Sequence, residues 1–337
     1  MGSSAEVALP STDGHSTAKT MDQFLLVLEP QYRERVWGGQ RLRAADPPLG
    51  EAWLVYGPSV ILAGAYEGKT VDELVAANAT AVLGSRVAHG AEDRFPILIK
   101  LIDCADWLSV QVHPNDEEAR RMVGAGEFGK TEAWYFLDAQ PGARILAGVR
   151  PDVDGPQLAS AIREGRVWEV AAGMEVRGGD SILIPAGTLH ALGPGLLLYE
   201  IQQASDTTYR AYDWDRPQSA GRKLHIEESV EVTRAVGPEP VTHPEVPGAT
   251  GAANAVICPY FNLDLVRVAT GGCFAQDTGG RSFQVITVTD GSVELLRDEE
   301  RVVLTRFETA LVAGSTGPYD IRAVEGPATL LLACVPD

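Results

Sequence analysis

Two stretches of this chain space their side chains in a way that could do metal chemistry. One is Ser109-Val-Gln111-Val-His113-Pro114, and the other is Gly179-Asp-Ser-Ile-Leu-Ile-Pro185-Ala-Gly187-Thr-Leu-His190. Along an extended strand, residues i and i+2 share a face. Gln111 and His113 therefore present an amide oxygen and an imidazole to one point, while Val110 and Val112 face the other layer. In the second stretch an apolar strand runs into a Pro-Ala-Gly turn, which lets the backbone bend sharply and aim His190 inward. Glu132, on a strand rich in aromatic residues, adds a carboxylate with Lys130 two residues before it on the same face. A buried carboxylate needs a cation to offset its desolvation, here either a metal or Lys130. Gln111, His113, Glu132 and His190 together offer two nitrogens and two oxygens, a set suited to a zinc-like divalent ion with room for water or substrate. Ligand type alone leaves manganese, cobalt and ferrous iron open. The other histidines, His15, His89, His225 and His243, read as structural or solvent-facing.

These side chains need a β-rich frame to hold them. With 35 Gly and 21 Pro among 337 residues, turns are frequent and short strands are favoured over long helices. Strands are expected over residues 24–28, 50–55, 95–102, 107–113, 131–137, 181–184 and 196–203, with 32–39 as a surface loop anchored by an aromatic. Thr70 with Glu73, and Asn115 with Glu118, have the spacing of capping boxes, opening helices that end near Gly84 and Gly124. Residues 155–173 read as a short helix and loops, and 227–234 as a helical stretch. A Pro/Gly-rich segment, 237–251, is the best linker, and beyond it come strands at 261–268, 282–288, 292–296, 309–312 and 328–335.

A chain of this length calls for two domains or an extended double unit. The expected division is a flexible tail at 1–22, a catalytic unit at 23–245 with helical insertions, and a C-terminal β-sandwich at 252–337. The last of these faintly echoes the first: counting from Ala313-Gly314 as from Ala186-Gly187, the place of His190 falls on Gly317, so the second sandwich is expected to be metal-free. A formal net charge of −18 argues against nucleic acid and anionic membranes as partners. No apolar run approaches the roughly 20 residues of a membrane span. Residues 1–20 lack the apolar core of a signal peptide, and Cys104, Cys258, Cys273 and Cys334 show no CxxC pair. The expected location is a reducing cytoplasm.

The pattern Gly179-x5-Pro185-x-Gly187-x2-His190 resembles the second signature of the cupin superfamily. The stretches Phe95-Pro-Ile-Leu-Ile-Lys100, Leu108 to Pro114, Gly129-Lys130-Thr-Glu132-Ala-Trp134 and Ile201 to Arg216 resemble, in order, those of the short bacterial type I mannose-6-phosphate isomerases. The likeness covers about residues 24–225 well and the rest loosely. It implies a mainly β, double-cupin enzyme of two jelly-roll sandwiches with a small helical insertion in the N-terminal half. It further implies one zinc per chain on Gln111, His113, Glu132 and His190, and a phosphorylated hexose as substrate. Arg210 falls on the family's active-site arginine, and Lys100, Lys130 and Glu200 on pocket positions. Where the family commonly reads Gly-Glu-Ser-Trp-Glu-Val-Ser, this chain has Gly50-Glu51-Ala-Trp53-Leu54-Val55-Tyr56, so Leu54 and Tyr56 are expected to reshape one pocket wall.

The implied reaction, between mannose 6-phosphate and fructose 6-phosphate through a cis-enediol, needs a base, a charge acceptor at oxygen and a phosphate anchor. Glu200 is a candidate base, with a packing-edge or salt-bridge glutamate as the plain alternative and a zinc-bound water as the other candidate for the base. Arg210 suits a phosphate or an enediolate, and Lys130 with Lys100 adds positive potential. Arg210 as an ion-pair partner of Asp206 or Asp213 is the bland reading. Competing functions are a ferrous cupin dioxygenase, which Gln111 argues against, a non-catalytic sugar-binding cupin, and a cupin acting on another sugar phosphate. Monomer and homodimer both stay open.

Overall fold

The computed structural model describes residues 21–87, 94–217 and 222–336. His89 and the expected tail up to residue 20, with His15, lie outside the described residues. The organising element is a six-stranded antiparallel sheet in the order β2 (Gln31–Gly39), β3 (Leu49–Val55), β4 (Ile97–Cys104), β11 (Leu196–Gln203), β6 (Glu132–Ala139), β9 (Ser181–Ile184). Its strands β3, β4 and β11 are buried along their whole length. A sheet covered on both faces reads in sequence as a continuous apolar run, which is why Phe95-Pro-Ile-Leu-Ile is so apolar.

One face of this sheet sends Ile97, Ile99, Leu101, Ala133, Tyr135, Tyr199 and Ile201 against a second six-stranded sheet. That sheet has the order β1 (Leu25–Val27), β19 (Thr309–Val312), β16 (Gln284–Asp290), β21 (Ala328–Cys334), β14 (Asn262–Val268), β13 (Gly251–Ile257). The other face sends Ile102, Trp134, Phe136 and Leu198 against a five-stranded sheet, β12 (Tyr209–Tyr212), β5 (Val110–Val112), β10 (His190–Leu192), β7 (Arg144–Val149), β8 (Ala171–Glu175). A four-stranded sheet, β15 (Cys273–Asp277), β20 (Pro318–Ala323), β17 (Ser292–Arg297), β18 (Glu300–Thr305), covers the outer face of the second sheet. The molecule is thus two β-sandwiches stacked back to back, the double-cupin architecture.

Helices occupy the N-terminal part: α1 (Val71–Leu83), α2 (Asp116–Met122), α3 (Gly155–Arg163), α4 (Val167–Val170) and α5 (Ile226–Val232). Both expected capping boxes form. Thr70 Oγ1 accepts from the Glu73 N–H at 3.2 Å, and Asn115 Oδ1 from that of Glu118 at 2.9 Å. No helix among the described residues is long and apolar enough to cross a membrane.

Three expectations change. Residues 32–39 are strand rather than loop, because β2 pairs with β3 on the central sheet despite its charged exterior. The strand expected over 107–113 shrinks to Val110–Val112, leaving His113 just past its end. Residues 155–173 hold two helices and then enter β8. The two halves also interlock. Strand β1 pairs with β19 (Leu26↔Leu311), and Glu300 Oε1 accepts from the Leu25 N–H at 2.8 Å.

The halves approach closely at Gly314, where a Cβ would stand 2.2 Å from the Gly84 nitrogen at the end of α1. Neither backbone can yield without disturbing its own element. Gly314→Ala should cost about 1–3 kcal/mol, the range for forced overpacking. Urea melts would read this as a lower midpoint at unchanged slope.

Candidate metal centre and active-site cavity

Alternation along the central sheet decides which side chains enter the N-terminal sandwich. Lys100 pairs with Trp53 on one side and Glu200 on the other, and Glu200 pairs in turn with Trp134. This makes one inward-facing row across four strands. The next row carries Gln202 opposite Glu132. The opposing wall comes from β5, β10 and β12, where His190 and Arg210 both lie opposite Gln111.

His113, Glu132 and His190 converge between these walls, each at most 1% exposed. His113 Nε2 is 3.3 Å from Glu132 Oε2, and His190 Nε2 is 3.2 Å from Glu132 Oε1. Each imidazole is oriented by its far nitrogen. His113 Nδ1 donates to the Thr207 carbonyl and His190 Nδ1 to that of Thr188, both at 2.9 Å. Both Nε2 atoms therefore carry lone pairs toward the carboxylate. Burial pushes the His113 pKa down to about 3 and lowers that of His190, so both rings are neutral at pH 7. Burial works against ionisation of Glu132, but Lys130, with Nζ 3.1 Å from Oε2, holds it well below the usual carboxylate range.

Two lone pairs and a carboxylate facing one another repel unless a cation lies between them. His113 Nε2 and both Glu132 oxygens have no hydrogen-bond partner, which fits that need. The two imidazole–carboxylate distances are close to the roughly 3.3–3.6 Å between ligands about 2.0–2.2 Å from a tetrahedral ion, and the three donor atoms lie within 4.8 Å of one another. Gln111 reaches the same cluster, with Nε2 3.2 Å from His190 Nε2 and Oε1 accepting from Ser109 at 3.3 Å. Half a turn of the amide exchanges its nitrogen and oxygen. The turn that delivers His190 closes through the Thr188 N–H to the Pro185 carbonyl at 3.0 Å, with Gly187 at φ +85°. The Gly187 N–H then donates to the His113 carbonyl at 2.8 Å, tying the two ligand-bearing segments together.

Beside this cluster lies a cavity of about 440 Å³ whose lining includes Arg35, Lys100, Lys130, Glu200, Arg210 and Arg222. Most of its charges are matched. Lys100 Nζ donates to Glu200 at 3.0 Å and to Gln202 at 2.7 Å, and Trp134 Nε1 donates to the other Glu200 oxygen at 3.0 Å. Arg35 forks onto Glu51 at 3.1 and 2.8 Å. Burial disfavours the Glu51 charge, but Lys100 and Arg35 outweigh it and lower its pKa. Arg222 forks onto Asp213 at 2.7 and 3.0 Å, and Asp213 also takes Arg216. Among its cations Arg210 is the exception. Among the described residues no carboxylate pairs with it, its Nε is buried without a partner, and burial together with Arg222 lowers its pKa. A guanidinium so placed favours an anionic ligand.

All the expected site residues line the cavity or the cluster. Asp213 belongs to Arg216 and Arg222 rather than to Arg210, and neither oxygen of Glu200 is left without a donor. Leu54 does not reshape the pocket: it faces the opposite side of β3 and packs in the core with Leu26 and Ile61. Tyr56 stacks edge-on against Trp53 at 5.1 Å and bonds Gln31. His243 pairs with Asp180 at 2.9 Å. Arg35, Glu51 and Arg222 went unrecognised. The i, i+2 spacing of Arg33, Arg35 and Trp37 was the available signal for a strand aimed into the site.

The family description "Phosphomannose isomerase type I, catalytic domain" matches residues 25–133. The mannose-6-phosphate isomerase ManA of Bacillus subtilis is 35% identical over 312 residues, 88% of this chain and 95% of that protein. A mannose-6-phosphate isomerase of Streptococcus mutans is 40% identical over 219 residues, covering 61% of this chain and 67% of that one. Among solved structures, the mannose 6-phosphate isomerase from Bacillus subtilis superposes with a TM-score of 0.81 at 30% identity, over 92% of this chain and 99% of that chain. A mannose 6-phosphate isomerase described as holo and zinc bound shares the fold at a TM-score of 0.74 and 18% identity, over 92% and 99% of the two chains.

Chelator-stripped protein should regain one divalent ion per chain and melt at a higher temperature. At a thousandfold excess over the dissociation constant the gain is about 4 kcal/mol. In His190→Ala both the bound ion, by elemental analysis, and the thermal shift should be lost.

Proposed function

The chain belongs to the mannose-6-phosphate isomerase family, and from that premise we propose that it interconverts mannose 6-phosphate and fructose 6-phosphate with one zinc ion held by Gln111, His113, Glu132 and His190. The observation that carries this reading is the unpaired guanidinium of Arg210 beside a buried, cation-seeking His–Glu–His cluster. The zinc in a structural relative of the same fold supports the choice of metal. Bound here, zinc supplies a Lewis acid for the sugar oxygens at C1 and C2.

The residues of the chain divide the remaining work. Arg210 and Arg222 hold the dianionic phosphate, Arg210 with the greater gain because it gives up no existing ion pair. The Glu200 carboxylate takes the proton from C2 of the aldose. The electron pair left behind forms the C1–C2 double bond while the C1 carbonyl pair moves onto O1, which takes up a proton to give the cis-enediol. O2 then releases its proton as the C2 carbonyl forms, and the same carboxylate returns its proton to C1 to give the ketose. Lys100 and Trp134 fix the angle of Glu200 through their hydrogen bonds. Lys130 lines the cavity close to Glu132 and stabilises negative charge on the sugar oxygens. A positioned acid–base group of this kind contributes roughly 10²–10⁴-fold.

In this reading residues 23–245 carry the chemistry and 252–337 back the catalytic sheet. Cys104 and Cys258, both buried thiols, suit a reducing cytoplasm.

An assay coupling fructose 6-phosphate to a dehydrogenase through glucose 6-phosphate tests the activity, and no product from metal-loaded protein would remove it. Arg210→Lys should lower kcat/KM about 100-fold, as expected for losing a bidentate charged contact, with metal content unchanged. Glu200→Gln should stop exchange of the C2 hydrogen with solvent.

A further inference from the structure

Arg210 lies on β12, an edge strand bonded on one side only, to β5. A main chain at such an edge is free to shift or fray unless something covers it. At Arg210 the cover is His225. The His225 N–H donates to the Arg210 carbonyl at 2.8 Å, and the Arg210 N–H donates back to His225 Nδ1 at 3.3 Å. One residue thus engages both main-chain groups of the arginine, using its ring in place of a second strand.

An accepting Nδ1 requires a neutral ring with its proton on Nε2. Burial, then Arg210 and Lys223, lower the His225 pKa, while Glu228 raises it. The ring also packs against Tyr209, with centroids 5.9 Å apart. Three residues upstream, Arg222 enters the same cavity and is anchored to Asp213. The 222–225 segment is therefore fixed at one end by an ion pair and at the other by this two-bond clasp.

We propose that His225 is a positioning residue for Arg210: its clasp on the open edge of β12 sets the point from which the guanidinium reaches the substrate. This rests on the assignment of Arg210 to the substrate. His225 touches no reacting atom and acts only through the arginine.

The test is a double-mutant cycle on the metal-loaded enzyme with His225→Ala and Arg210→Met, with His225→Asn alongside. The Asn carbonyl oxygen stands near the place of Nδ1 and can accept the same hydrogen bond. His225→Ala should lower kcat/KM about tenfold, the worth of one misplaced contact. His225→Asn should recover to within about threefold of wild type, with metal content equal in all variants. In the Arg210→Met background the alanine should cost less than about twofold, since the arginine it positions is gone and Arg222 keeps its own anchor on Asp213. Wild-type kinetics in His225→Ala, an equal loss in both backgrounds, or no recovery by Asn would each overturn the proposal. Wild-type kinetics in Arg210→Met alone would instead overturn the assignment of Arg210. If His225→Ala does not fold, His225→Gln, whose acceptor is displaced along the side chain, takes its place in the cycle with the same expected outcomes.

Discussion

A carboxylate with no exposed surface, faced by two imidazole lone pairs, is the constraint around which this molecule is built. Leaving an ionised group buried and unmatched costs several kcal/mol, so Glu132 can stay charged only if cations are held close to it. Lys130 supplies one at 3.1 Å, and the arrangement of His113 and His190 invites a second. Each feature that fixes these residues serves that end. The Thr188 and Thr207 carbonyls select the ring tautomers, and the Gly187–His113 bond locks the two turns together. A cation placed there stabilises the fold and the chemistry through the same contacts.

The central sheet explains how so many charges can be tolerated nearby. Its outward rows are mainly apolar and pack on the second sandwich, so the inward rows carry the charges that line the cavity. Lys100, Glu200, Trp134 and Gln202 satisfy one another in register, as a buried polar network must. A chain of net charge −18 thereby builds a cavity in which, among the described residues, Arg210 is the cation left without a carboxylate partner. Near a partly desolvated site the nearest groups outweigh a distant, screened surface charge, so overall acidity does not prevent an anionic substrate from binding.

Much of the metal cluster was legible because its determinants are local. An i, i+2 pair, a Pro-Ala-Gly turn before a histidine and a Lys-x-Glu pair each announce their geometry within a few residues. Long apolar strands and capping boxes were legible for the same reason. What escaped was set by distant partners. Arg35 becomes a cavity residue only because Glu51 waits on the neighbouring strand, and Leu54 is harmless because its strand register turns it to the core. His225 looked incidental in sequence, since its meaning depends on β12 being an edge. The pairing of β1 with β19 joins residues nearly 300 positions apart, and no local pattern encodes that.

The second sandwich repeats the architecture of the first with a different set of interior side chains. In its interior Gln284 Nε2 donates to Gln276 Oε1 at 3.2 Å, and the Tyr319 hydroxyl donates to Gln284 Oε1. Tyr319 follows Gly317, the position aligned with His190 by the internal echo. These neutral groups satisfy one another and offer no charge to offset the lost hydration of an ion. The same unit nevertheless supplies Leu263, Leu265, Val285, Leu311 and Leu331 to the core beneath β4, β6 and β11. Without that backing the apolar face of the catalytic sheet would meet water, and the alternation that aims Lys100, Glu132 and Glu200 inward would lose its reason. The second sandwich thus packs at the reverse side of the strands that carry Lys100, Glu132 and Glu200.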